Sequence, residues 1–288
     1  IGVADVTVEY WFGAGGHTNS SLNGAGPYIL GITIPSGSTD TLRYIFHAGD
    51  AAGNWAHTTV KAVPVSDDDL PVFGTDNTPA SGTTGEGLTL SVAVSDNIAV
   101  NTVEAEFWYG AGGHFRWTMN GTSPATLALT VPSGSDDNLH YIFHANDSAD
   151  NWAASGASVV SIDDNDAPVF GADTTPSAGT TGQNITISIF VGDNIGVHSV
   201  VCEYWFGSGS HFMWAMNGTS PATVEVPISE NSTETLHYIV HANDSADNGA
   251  ATSVVDVPIY HKQPPEIPSD TTPAAGTTGD ELIFGITV

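Results

Sequence analysis

Apolar and polar side chains alternate along this chain with a period of two. In Leu42-Arg43-Tyr44-Ile45-Phe46-His47-Ala48, one face carries Leu42, Tyr44, Phe46 and Ala48, and Val6, Val8, Tyr10 and Phe12 alternate in the same way. That period marks strands with one buried face. Clusters of Pro, Gly, Ser and Asp interrupt the runs at short intervals and predict turns. The expected fold class is an all-β sandwich rather than helices alternating with strands.

The pattern repeats. His17, His114 and His211 stand 97 residues apart, as do Asp50, Asp147 and Asp244, and Pro71, Pro168 and Pro265. The segment Met119–Thr126 recurs unchanged as Met216–Thr223, and His144–Asn151 recurs as His241–Asn248. A fixed long period points to tandem structural units. Ser95-Asp96-Asn97 and Gly192-Asp193-Asn194 have no third counterpart within the 288 residues.

In the second repeat the alternation predicts seven strands, at about 71–74, 88–94, 100–109, 115–119, 125–131, 139–145 and 157–162. Tyr-Ile-Phe-His-Ala-x-Asp-x-Ala-x-Asn at 44–54 and 141–151, with Asp-Asn-Ile at 96–98 and 193–195, resembles the immunoglobulin-like and fibronectin-type-III-like modules of archaeal or bacterial surface proteins. The resemblance spans all three repeats. It implies tandem seven-stranded immunoglobulin-like sandwiches, with a tyrosine near the start of the sixth strand holding a corner. The domains implied are 71–163 and 168–260, flanked by two parts of one sandwich. Residues 1–66 would hold the third to seventh strands, and 264–288 the first two. Unpaired sheet edges recruit strands. Leu282, Phe284, Ile286 and Val288 are therefore expected to pair with the open sheet of another chain or repeat. Two readings stay open: a slice of a longer tandem array, or subunits joined head to tail, copies of the chain being the partners.

Charge narrows the partners. The chain has 32 Asp+Glu against 4 Lys+Arg, a net charge of -28, yet only 12% of its residues are charged. Binding nucleic acid or an anionic membrane surface needs clustered Lys and Arg, so both are excluded as partners. Divalent cations are favoured. No apolar run approaches the roughly 20 residues that span a bilayer, so no membrane insertion is expected within this segment. The single cysteine, Cys202, excludes an internal disulfide framework and reads as a small buried hydrophobe.

The links between repeats carry the acids. Asp67-Asp68-Asp69-Leu70-Pro71 joins the first two, and Asp163-Asp164-Asn165-Asp166-Ala167-Pro168 the next. The second resembles the cadherin linker, which implies calcium as a cofactor. In an immunoglobulin-like sandwich two loops lie at the end where the first strand enters. They place Asp96, Asn97, Asp147, Asp150 and Asn151 near the first link, and Asp193, Asn194, Asp244, Asp247 and Asn248 near the second. Calcium takes six to eight oxygens, a number these groups can supply. Against this stands the reading of Asp and Asn as turn residues that bond their own backbone. The third link, Tyr260-His261-Lys262-Gln263-Pro264-Pro265-Glu266, has no Asp run and is expected to bind weakly or not at all.

Asn-x-Ser/Thr sequons at Asn19, Asn120, Asn184, Asn217 and Asn231 are expected N-glycan sites, which would place the chain outside the cell or on its surface. Those at Asn146 and Asn243 fall in the acidic loops and are set aside. Trp11, Trp108 and Trp205 lie on the strand face opposite Val8, Ala105 and Cys202. They are candidates for packing between modules, for packing beneath the Gly-rich loops, or for stacking on sugars. Glu9–His47, Glu106–His144 and Glu203–His241 are candidate cross-strand pairs. No nucleophile elbow, phosphate loop or zinc-protease motif occurs, and no catalysis is expected. The functional expectation is a structural subunit of an extracellular filament, sheath or surface layer. The alternative is a spacer or carbohydrate-binding region of a large secreted protein or adhesin.

Overall fold

A computed structural model of the chain describes residues 2–24, 26–262 and 269–287; the link residues 263–268 and the expected pairing residue Val288 lie outside them. All regular structure among the described residues is strand, and no helix is long and apolar enough to cross a membrane. The first repeat forms β1 (Val3–Phe12), β2 (Thr18–Ser21), β3 (Leu42–Asp50), β4 (Trp55–His57) and β5 (Lys61–Val63). The second forms β6 (Val72–Asp76), β7 (Ser81–Thr83), β8 (Gly87–Ser95), β9 (Val100–Tyr109), β10 (Phe115–Thr118), β11 (Ala125–Thr130), β12 (Leu139–Asp147), β13 (Trp152–Ala154) and β14 (Ser158–Asp163). In the third are β15 (Val169–Asp173), β16 (Gly179–Thr180), β17 (Asn184–Gly192), β18 (Val197–Phe206), β19 (Phe212–Ala215), β20 (Ala222–Pro227), β21 (Leu236–Asp244), β22 (Gly249–Ala251), β23 (Val255–Val257) and β24 (Ile259–Tyr260). Last come β25 (Ser269–Asp270) and β26 (Ile286–Thr287).

The chain divides into two compact units, one of residues 1–131 and 137–162, the other of 132–136 and 163–288. In the first unit, β10-β9-β12-β14-β7 form one sheet, with β13 also on β12, and β11-β8-β6 form another. Alternation sends Leu88, Leu90, Val92 and Val94 of β8 inward, where they meet Ala105, Phe107, Leu139 and Phe143 in a single core. Each Val, Leu or Phe side chain so buried stabilises the fold by about 1.5–3 kcal/mol. The same unit holds the first repeat's sheet, β2-β1-β3-β4 with β5 also on β3, where Val8 faces Phe46 across the ladder. Among the described residues of 2–66 no second sheet faces it. The segment 28–33, one repeat step before β11, is not a strand. In the second repeat β11 pairs with β8, and residues 2–66 hold no counterpart of β8.

The second unit repeats the closed sandwich. Its sheets are β15-β17-β20 and β19-β18-β21-β22, with β23 also on β21, and a parallel pair β16-β24 beside them. Ile187, Cys202, Leu236 and Tyr238 lie in its core. The all-β sandwich fold stands, but with more strands than seven. The second repeat has nine, because β7 and β13 are short edge pieces without a run of alternation. The tyrosine near the start of the sixth strand is anchored by a side chain: the Tyr141 hydroxyl donates to Asp76.

Candidate functional site

The acidic link and the two loops meet at one point in each unit. One oxygen from each of Asp67, Asp96 and Asp147 lies within 4.8 Å of the others in the first unit, as do oxygens of Asp164, Asp193 and Asp244 in the second. Local backbone sets each member. Asp96 Oδ1 accepts the N–H groups of Ile98 (2.9 Å) and Ala99 (3.1 Å), an Asx turn that opens the loop before β9. Asp193 does the same with Ile195 and Gly196. Asp147, fully buried, accepts from the N–H groups of Ala149 and Asn151 through Oδ1 and from the Asn151 amide through Oδ2 at 2.6 Å. Burial pushes its carboxyl up, but these hydrogen bonds outweigh it and hold the group below its usual range; Asp244 behaves alike.

Some carboxylate oxygens of the trios stay unsatisfied among the described residues. Asp67 Oδ2 and Asp96 Oδ2 are buried with no hydrogen-bond partner, as is Asp193 Oδ2. Buried carboxylate oxygens facing one another repel and lose their hydration. Of the chain's four basic residues (Arg43, Lys61, Arg116 and Lys262), Arg43 donates to Gly13 O and Arg116 pairs with Glu104. The donors are all carboxylate oxygen, which suits a hard divalent cation and not a soft metal.

An amide completes each link. Asn97 Nδ2 lies 2.6 Å from Ser36 O, 3.2 Å from Asp67 Oδ1 and 2.9 Å from Asp69 Oδ2. The Asn151 amide donates to Asp67 O at 3.2 Å. In the second unit Asn194 reaches Ser133 O, Asp164 and Asp166, and Asn248 reaches Asp164 O. The remaining aspartates named from the sequence, and Asn165, stand outside the trios. Asp68, Asp69, Asp150, Asp163, Asn165, Asp166 and Asp247 are exposed, and Asp150 and Asp247 sit at positive φ in their turns. His261 occupies the register of Asp67 and Asp164, so the third link offers a different group.

Asn19, Asn120, Asn184, Asn217 and Asn231 are all exposed, whereas Asn146 is buried. Leu282, Phe284 and Ile286 are exposed too. One constellation exceeds what the sequence reading found. Glu106 receives both His114 Nδ1 (2.6 Å) and His144 Nε2 (3.0 Å), and Glu203 receives His211 and His241 at the same distances. Glu9 meets His17 and His47. The first histidine of each trio stacks on tryptophan: Trp11 on His17, Trp108 on His114 and Trp205 on His211, all with ring centres 4.1 Å apart. Gly110, at φ +51, makes the turn that returns the chain toward Trp108. The shared repeat step of Trp108 and His114 was the available signal.

No protein-family profile matches the chain, and no curated protein matches it. Among solved structures it is similar to the I-band fragment I67–I69 from titin, at 12% identity over 90% of this chain and 88% of that one, with a TM-score of 0.51. It is also similar to a tetra-tandem repeat in the extending region of a large adhesion protein, at 18% identity over 89% of this chain and 66% of that one, TM-score 0.42. A further similarity is to the FN1–FN3 domains of chicken CNTN1, at 13% identity over 89% of both chains, TM-score 0.32. The titin likeness shows the fold, tandem immunoglobulin-like sandwiches.

Proposed function

We propose that this chain is a structural stretch of an extracellular or cell-surface filament, sheath or layer, in which tandem sandwiches are joined by links that take calcium. One observation carries the reading: the buried, partnerless Oδ2 atoms of Asp67 and Asp96, gathered with Asp147. Asp67, Asp96 and Asp147 would hold one ion, and Asp164, Asp193 and Asp244 a second. A bound ion would supply the positive charge that the cluster lacks, and water the remaining oxygens. The protein's own part is to tie the link to both loops. Asn97 joins Ser36 to the Asp67 side chain, and Asn151 fixes the Asp67 carbonyl. A link so fixed resists bending, which is what a fibre or a stiff spacer needs. N-glycans on the exposed sequon asparagines suit an exported surface, and sequon peptides of native material that lose mass on enzymatic deglycosylation would reveal them.

The test is thermal melting with calcium and with a chelator. An ion present at 100 times its Kd stabilises by about 2.7 kcal/mol. The melting temperature should therefore fall by several degrees on chelation, and Asp96→Asn together with Asp193→Asn should remove the difference. A melting temperature indifferent to calcium sinks the cation reading. A second reading draws on the exposed Phe115 and Trp117 of β10, and on Phe212 and Trp214 of β19: aromatic edges that stack on sugar rings in a spacer or adhesin. Retention on immobilised polysaccharide, lost in Trp117→Ala with Trp214→Ala, tests it.

A further inference from the structure

The first repeat's sheet has an uncovered apolar face. Val8, Tyr10, Leu30, Leu42, Tyr44 and Phe46 line an open recess of about 220 Å³. One repeat step on, Phe143 is 2% exposed; Phe46 is 38% exposed. The difference is a strand. In the closed sandwiches that face is covered by β8 or β17, whose Leu90 and Ile187 are 0% exposed. The third copy of that position is Phe284, 82% exposed, with Leu282 and Ile286 exposed beside it.

The segment that carries Phe284 is already shaped to fit. β25 and β26 place Asp270 opposite Ile286, the register in which Asp173 lies opposite Ile189 and Asp76 opposite Val92. Thr271 N donates to Gly285 O at 2.8 Å, as Thr174 N does to Ser188 O and Asn77 N to Ser91 O, both at 2.7 Å. Gly285 N donates to Thr272 Oγ1 at 3.2 Å, where Ser188 N donates to Thr175 at 3.0 Å and Ser91 N to Thr78 at 3.1 Å. Residues 269–287 thus hold the hairpin of a closed sandwich without its core.

We propose that the hairpin of residues 269–287 from a second copy of this chain docks on the uncovered face of the β1–β3 sheet. There it takes the place that β6 and β8 hold in the closed sandwich. Leu282, Phe284 and Ile286 fill the recess over Val8, Tyr44 and Phe46. Residues 28–33 gain the strand partner that β11 has in β8. Asp270 accepts from the Tyr44 hydroxyl, as Asp76 does from Tyr141 and Asp173 from Tyr238. A head-to-tail contact of this kind does not close on itself and extends a filament. The inference deepens the structural-array reading and rests on it for its purpose; it needs no bound ion.

The full chain, refolded from denaturant, is followed by analytical ultracentrifugation at rising concentration, with and without chelator. Concentration-dependent oligomers are expected, and excess synthetic peptide of residues 264–288 should cap them to single chains. Phe284→Asp should abolish association while leaving the melting of the two closed sandwiches unchanged, since Phe284 lies outside their cores. Tyr44→Phe should weaken association about tenfold or more, the loss of one charge-assisted hydrogen bond. A chain that stays monomeric and takes up no peptide overturns the inference, as does association indifferent to Phe284→Asp. Calcium-dependent melting in a monomeric chain fails this inference alone. Assembly that persists beside calcium-independent melting fails the cation reading alone.

Discussion

The Tyr141 hydroxyl donates to the Asp76 carboxylate at 2.7 Å, and Tyr238 repeats the bond on Asp173 at 2.5 Å. Each crosses between the two sheets of a sandwich, from β12 to β6 and from β21 to β15. Burial, and then the carboxylate beside it, push each phenol above its usual range, so the hydroxyl remains a donor through neutral pH. Tyr141→Phe keeps the ring and deletes the donor. It should cost about 1.5–3 kcal/mol, read as a lower denaturant midpoint at unchanged slope.

Leu90→Ala should act on one core only. Leu90 is fully buried in the first unit's cluster, and Ile187 in the second's, with no shared members. A cavity left by leucine costs about 2–5 kcal/mol. Calorimetry of the variant should show one transition moved down and one left in place; a joint shift would mean that the two units melt as one.

Cys202 should be silent toward thiol reagents until its sandwich opens. Burial, with Asp173 and Glu203 nearby, pushes its thiol up to about 12, and the sulfur has no exposed surface. Reagent colour should therefore develop only with denaturant, tracking the second unit's unfolding.

Acid should loosen the histidine–glutamate trios. Hydrogen bonds from His114 and His144 hold Glu106 below its usual 4.5, and His211 and His241 do the same to Glu203. A folded pKa below the unfolded one gives stability that is complete above 4.5 and lost as pH falls through the lower, folded value. Melting temperature should drop most steeply below pH 4.5, and less steeply in Glu106→Gln with Glu203→Gln.

Asn97→Ala removes the amide shared by Ser36, Asp67 and Asp69. The first link should then be cut faster by a protease that cleaves before aspartate, at unchanged overall melting temperature. Mass spectra of the fragments would report the rate at 67–69.

Much of the fold lay open in the sequence because alternation is a direct imprint of a half-buried sheet. The strand expected at 100–109 is β9, and that at 88–94 is β8 with a residue added at either end. β7 and β13 escaped because three residues at an edge carry no period. The segment 125–131 and its first copy at 28–34 both carry apolar side chains, yet of the two only the second-repeat copy is a strand, since pairing depends on a neighbour far away in sequence. At the links the limit was direction. Composition marked the whole run Asp67-Asp68-Asp69, but only the fold shows Asp67 turning inward to Asp96 and Asp147 while Asp68 faces water. The stacking of Trp108 on His114 was hidden for a similar reason, being set by a tight turn at Gly110.

Separate cores also decide how such a chain answers a pull. Tension drawn along it meets the structure around Leu90 and the structure around Ile187 as two independent catches. Each, on slipping, pays out on the order of 300 Å of extended polypeptide. Length released around one core would leave the side chains around the other still packed.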